Sequence, residues 1–167
     1  GADVSYEQQA ANARSALNQG TTVANVLTSL LALGLIFWLI PGGESAAVVI
    51  DDAAATMDVR WALFLVLLAG LLTGVVIGKA TEYYTSEYGP VKRIAESANT
   101  GAATTIIEGL GTGMVSTVVP ALAVALATLL AYHLGGLFGI ALASLGMLLT
   151  LGVVLSTDAY GPITDNA

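Results

Sequence analysis

Residues 134–155 read LGGLFGIALASLGMLLTLGVVL, about twenty apolar residues without a charge. At 1.5 Å of rise per residue, such a helix crosses the roughly 30 Å hydrocarbon core of a bilayer. Asp158-Ala159-Tyr160-Gly161-Pro162-Ile163-Thr164-Asp165-Asn166-Ala167 follows. Two carboxylates and an amide therefore sit at the mouth of a membrane-length segment. Asp158 and Asp165 are two helical turns apart, so both face one side if the helix continues. Pro162 has no N–H, which deprives the Asp158 carbonyl of its helical partner. Residue chemistry alone leaves two readings open: a hard-cation site, or a helix ending in solvated acids.

Composition supports a membrane protein throughout. The 167 residues are 56% hydrophobic and 10% charged, with a mean hydropathy of +0.81. A soluble domain carries about a quarter charged residues, and one of this size could not hide so much apolar surface. The absence of cysteine excludes disulfides, thiolate metal sites and a cysteine nucleophile. The single histidine, His133, excludes a multi-histidine metal site, and a net charge of −7 argues against nucleic acid binding. Gly1 is not a start methionine, no basic leader precedes the first apolar run, and the chain stops beside its most polar motif. A piece of a larger protein is expected.

The pattern predicts an all-α, polytopic membrane protein forming a single partial membrane domain over 1–167. Spans are expected at about 21–40, 61–78, 114–132 and 137–155. Residues 1–20 are polar. Pro41-Gly42-Gly43 stops the first span behind Trp38, an interfacial anchor. The acidic connector 41–60 lacks the alternating ligand spacing of an EF-hand and reads as a solvated loop. Gly70, Gly74 and Gly78 form a small-residue stripe in the second span, as Gly139, Ala143 and Gly146 do in the fourth. The stripe of Gly70, Gly74 and Gly78 is expected to pack within a subunit. Pro120 predicts a kink in the third span, and His133-Leu134-Gly135-Gly136 a tight turn.

Residues 79–112 form the most polar loop. Four spans put the N-terminus, this loop and residues 158–167 on one side, with Arg14, Lys79, Lys92 and Arg93. The opposite side carries only Arg60. The excess of positive charge makes the first side cytoplasmic. Acids at span ends are costly without a partner, an ion or a wet cavity. Asp158 and Asp165 are therefore the metal candidates, with Mg²⁺ the cation that suits carboxylate oxygens and phosphate. Asn166 could bond a substrate oxygen or a metal-bound water. Glu82 either joins a proton path or pairs with Lys79. Lys92 and Arg93 read as solvated, topology-setting charges. Neither a phosphate loop nor a serine–histidine–acid set is present.

An ordered set of motifs carries a resemblance. Glu82-Tyr83-Tyr84-Thr85-Ser86, Pro90-Val91, Thr100-Gly101-Ala102-Ala103-Thr104, Asp158-Ala159-Tyr160-Gly161-Pro162-Ile163 and Asp165-Asn166-Ala167 together resemble membrane-bound, ion-translocating pyrophosphatases. The resemblance runs from about Ala16 to Ala167. It implies the eighth to eleventh helices of a bundle of about sixteen, roughly a quarter of a family member. It implies hydrolysis of pyrophosphate at a cytoplasmic site, coupled to H⁺ or Na⁺ translocation, with Mg²⁺ as cofactor, K⁺ as a conceivable activator and a homodimeric whole protein. By the same resemblance, Asp165 belongs to the metal–pyrophosphate site, with Asn166 beside it on the substrate. Asp158 lies one step deeper toward the ion path, and Glu82 matches a further membrane-edge acid of the catalytic and coupling set. The implied location is a prokaryotic cell membrane, with 79–112 and 158–167 cytoplasmic. Thr105 stands where the family usually has Asn, and Glu108 is unexpected in its place. The family's main aspartate- and lysine-bearing substrate motif lies before this stretch, so the chain alone is expected to be inactive. Two other readings are a segment of a secondary transporter without hydrolase activity and a small membrane protein assembling through its glycine stripes.

Overall fold

The computed structural model describes residues 2–42, 45–50, 53–86, 88–149 and, beyond them, residues 151, 152, 155 and 159. The described residues include five helices and one hairpin: α1 (Ala2–Leu39), β1 (Ser45–Ile50), β2 (Ala53–Asp58), α2 (Val59–Thr85), α3 (Gly89–Ser97), α4 (Ala102–Ser116) and α5 (Val118–Leu148). Among the described residues, three stretches are long and apolar enough to cross a membrane: Ser15–Leu39, Val59–Ser97 and Ala102–Leu148. The chain is an integral membrane segment, all-α but for the hairpin.

Four spans were expected and three such stretches are found, the last of them broken into two helical halves at Gly136. Its φ of 59° and ψ of −148° are non-helical, and a positive φ favours glycine. The chain doubles back there, since a methyl placed on Gly139 would overlap the carbonyl of Ala131. The third passage is longer than the pattern suggested, running through α4 and the first half of α5 with a discontinuity at Thr117. Pro120 accounts for it. Lacking an N–H, it leaves the Ser116 carbonyl without its helical donor, and the Thr117 N–H donates to Met114 O in a tighter turn.

The seam between α2 and the returning half of α5 is the core. Val66 and Ala131 are fully buried, with Leu134 and Ala143 beside them and Met57, Ile140 and Leu142 packed around. Small residues let the backbones meet: a methyl on Gly70 would overlap the Ala143 carbonyl, and one on Gly146 the Leu67 carbonyl. Gly74 faces Met147, whereas Gly78 faces open space. The expected stripe therefore works over two of its three glycines, within the chain. Elsewhere the aliphatics point outward: Leu31 is 68% and Leu126 67% exposed, as suits neighbours made of lipid or further helices.

Two stretches read as loops are ordered. The acidic connector forms an antiparallel hairpin, with Ser45 opposite Asp58 and Ile50 opposite Ala53. Its β-branched Val48-Val49-Ile50 run favours a strand, and β1 lies against α5. The polar stretch 79–112 is mostly helical: α2 continues to Thr85, α3 is a short amphipathic helix, and α4 begins at Ala102.

Candidate functional site

The two ends of α2 differ in chemistry. At its start, Asp58 caps the helix, its Oδ1 accepting from the Arg60 N–H at 2.9 Å. The Arg60 guanidinium returns to the same carboxylate at 3.1–3.2 Å. These hydrogen bonds from Arg60 hold the Asp58 carboxyl below its ordinary value of 3.8. Arg60 also lies over the Phe37 ring at 4.9 Å, and Phe37 meets Trp61 edge-on, tying α1 to α2. Both charges are occupied with each other.

At the far end stands Glu82, half-buried, one turn before α2 stops. Its Oε2 accepts from Lys79 Nζ at 3.2 Å, so the pairing allowed by the three-residue spacing forms. Both partners keep contact with solvent, Lys79 more than Glu82, and such a pair adds little stability. Tyr83 meets Tyr84 edge-on and stacks on Tyr88, with centroids 5.6 Å apart. The Glu82-Tyr83-Tyr84-Thr85-Ser86 motif thus ends α2 with a carboxylate and a ring cluster. Thr81 and Thr85 turn their hydroxyls back onto the helix.

The Thr100-Gly101-Ala102-Ala103-Thr104 motif returns the chain into the membrane. Gly101 takes φ 133°, ψ 169°, a region essentially closed to residues with a Cβ. Around it, Thr100 Oγ1 donates to the Ser97 carbonyl at 2.6 Å, and Thr104 Oγ1 lies 2.7 Å from both Thr100 Oγ1 and the Gly101 carbonyl. Thr105, where the resemblance suggested Asn, donates its hydroxyl to the same carbonyl at 3.0 Å, so the turn accommodates the change. The turn sets α4 beside the end of α2 and borders a half-open pocket of about 280 Å³ lined by Tyr83, Tyr84, Pro90, Arg93, Glu108 and Thr112, among others. Sequence reasoning flagged Glu108 as unexpected but could not see this pocket. Its signal was a charge within an apolar run. Arg93 is exposed, as expected of a solvated charge, yet it lines the pocket.

Of the sequence-predicted site residues, Glu82 is described, while Asp158, Asp165 and Asn166 lie outside the described residues. The seam nevertheless fixes a direction. Gly70 meets Ala143 and Gly74 meets Met147, so α2 and the second half of α5 run parallel. The helix leading toward 158–167 therefore heads for the end of α2 that carries Glu82. Among the described residues, no cluster of three or more acids or histidines forms a metal-binding group.

The chain is 46% identical over 133 residues to a protein of Bacteroides thetaiotaomicron assigned as a K(+)-stimulated pyrophosphate-energized sodium pump, covering 68% of this chain and 18% of that one. It is 49% identical over 113 residues to a K(+)-insensitive pyrophosphate-energized proton pump of Methanosarcina mazei, covering 62% and 17%. A second such proton pump, from Moorella thermoacetica, is 35% identical over 162 residues, covering 92% and 22%. The chain thus spans about a fifth of the length of these relatives. The model of the family described as inorganic H⁺ pyrophosphatase matches residues 2–167, and the chain belongs to that family.

Proposed function

We propose that this chain is a segment of a membrane pump that hydrolyses pyrophosphate to phosphate and couples the reaction to translocation of H⁺ or Na⁺. The family match along residues 2–167 carries the reading, and the parallel course of α2 and returning α5 supports it. The acids after α5 and Glu82 on α2 then belong to one end of the bundle. With Lys79, Lys92 and Arg93 at that end and Arg60 at the other, that end is cytoplasmic.

In this reading Asp165 binds metal and pyrophosphate, and Asn166 bonds a substrate oxygen. Two carboxylates and an amide offer the hard oxygen donors that suit Mg²⁺. Bound there, Mg²⁺ would neutralise phosphate charge and acidify an attacking water. Asp158, four residues before Pro162 in the sequence, couples hydrolysis to the ion path. Glu82 holds a negative charge at the membrane edge, with Lys79 as its resting counter-ion. K⁺ is a candidate activator and a homodimer the expected assembly. Residues supplied by the rest of the pump complete the site.

The test reconstitutes the complete protein carrying this segment into vesicles with Mg²⁺ and pyrophosphate. Phosphate release accompanied by an H⁺ or Na⁺ gradient is expected, and neither from the 167-residue chain alone. Ion transport that persists without pyrophosphate would favour a secondary transporter and overturn the reading.

A further inference from the structure

Arg93 on α3 and Glu108 on α4 line the same half-open pocket of about 280 Å³. Among the described residues the ion pairs are Asp58–Arg60 and Lys79–Glu82, so the guanidinium and the carboxylate share this space without being bonded to each other. They balance in charge, and the cavity between them is dipolar. A lone cation would meet Arg93, and a lone anion would meet Glu108. A divalent metal gathers several acidic oxygens, and this lining offers one carboxylate. A small ligand carrying both signs meets each wall with its opposite. The ring faces of Tyr83 and Tyr84 favour its cationic half.

The position of the pocket says which zwitterion. It lies at the end of α2, where the polar stretch 79–112 meets the spans. Tyr83 and Tyr88 stack there with 48% and 47% of their surfaces exposed, at the level where tyrosines gather in membrane interfaces. Beside them, α3 is short and buries only Pro90, as suits an amphipathic element lying along an interface. The pocket is also lined by Val115, about 10 Å along α4 from Glu108. Val115 is exposed, and so are Val118, Val119 and Leu122 farther along the chain. A polar cleft at the membrane boundary therefore continues into an apolar track, which is the layout of a lipid.

We propose that this pocket seats the headgroup of a zwitterionic phospholipid. The ammonium group faces Glu108 and the tyrosine rings, the phosphate faces Arg93, and one acyl chain follows Val115 and the aliphatics beyond it. The site does not depend on hydrolysis or ion transport.

The experiment uses the complete membrane protein carrying this segment, without pyrophosphate, in vesicles of equal parts phosphatidylethanolamine and phosphatidylglycerol. Two photoreactive lipids with the same diazirine-bearing acyl chain, one with an ethanolamine and one with a glycerol headgroup, are crosslinked in turn. Peptide mass spectrometry reads the adducts over residues 107–122. The ethanolamine probe is expected to exceed the glycerol probe there about threefold or more. On the exposed aliphatics of α1 the two should label equally. E108Q is expected to erase the preference, and R93Q to lower the ethanolamine adduct by a similar factor. The headgroup comparison in the parent protein stands whether or not the variants fold. Equal yields at 107–122, a preference for the glycerol probe, or no adduct because other parts of the protein fill the pocket would each overturn the site. A preference that survives E108Q would overturn the role given to Glu108.

Discussion

The first two-thirds of α2 and its last two turns obey different rules. From Asp58 to Gly74 the two charges and the Thr73 hydroxyl have local partners, and the buried face is sealed against α5 by small residues. From Lys79 to Thr85 the helix carries charges beside a pocket and rings stacked toward a short amphipathic helix. One continuous helix thus serves as scaffold at one end and as candidate site at the other. The contrast follows from what each end meets: backbone contact at the seam demands glycine and alanine, while a polar boundary tolerates charge. Stability and function should therefore separate along α2.

The largest break is expected at the seam. Gly70→Val places a branched side chain where even a methyl overlaps the Ala143 carbonyl. Overpacking typically costs about 1–3 kcal/mol, and more where backbone must move. The variant should fail to accumulate or should melt far below the parent in detergent. Gly78→Ala, facing open space, serves as the control and should melt with the parent. Equal losses in the two would deny that the seam ends before Gly78.

A smaller effect is expected on the site side. Gly101→Ala puts a Cβ on a residue at φ 133°, a strain of about 1–3 kcal/mol. Nothing crowds the position, so the cost is conformational alone. Thermal unfolding should show a moderate loss, accompanied by faster proteolysis between α3 and α4. Parental stability in this variant would mean that the turn is not fixed as described.

The smallest effect belongs to the closed end. Hydrogen bonds from Arg60 lower the Asp58 pKa, so the folded state binds the proton more weakly than the unfolded one. The pair's stabilisation is present above about pH 3.8 and fades as pH falls through the lower folded value. Asp58→Asn should flatten that acid limb of the melting curve slightly and change nothing near neutrality. An unaltered limb would show that the cap contributes nothing measurable.

Much of this division was legible in the sequence. Uncharged runs of membrane length pointed to long apolar helices, Gly135-Gly136 to the turn, and Pro120 to the break, which falls at Thr117 because proline frees the carbonyl four residues back. Lys79 and Glu82, three apart, could be read as a pair. The hairpin was hidden because four acids and many alanines resemble a solvated connector, while its pairing is a tertiary property. The helical course of 79–112 was hidden by tyrosines, threonines and charges whose partners lie on neighbouring turns. Glu108 and Arg93 are fifteen residues apart, and only the reversal at Gly101 brings them to one pocket. The acids at 158 and 165 remain proposals drawn from resemblance and from the direction in which α5 leads.

Phosphate release and ion uptake, measured together in vesicles bearing the complete pump or its Asp165→Asn and Asp158→Asn variants, test the central claim most directly. Asp165→Asn should abolish Mg²⁺-dependent pyrophosphate hydrolysis and, with it, transport. Asp158→Asn should harm transport at least as much as hydrolysis. Undiminished hydrolysis in Asp165→Asn would contradict the account, and equal loss of Mg²⁺–pyrophosphate binding in both variants would erase the division of labour between the two aspartates.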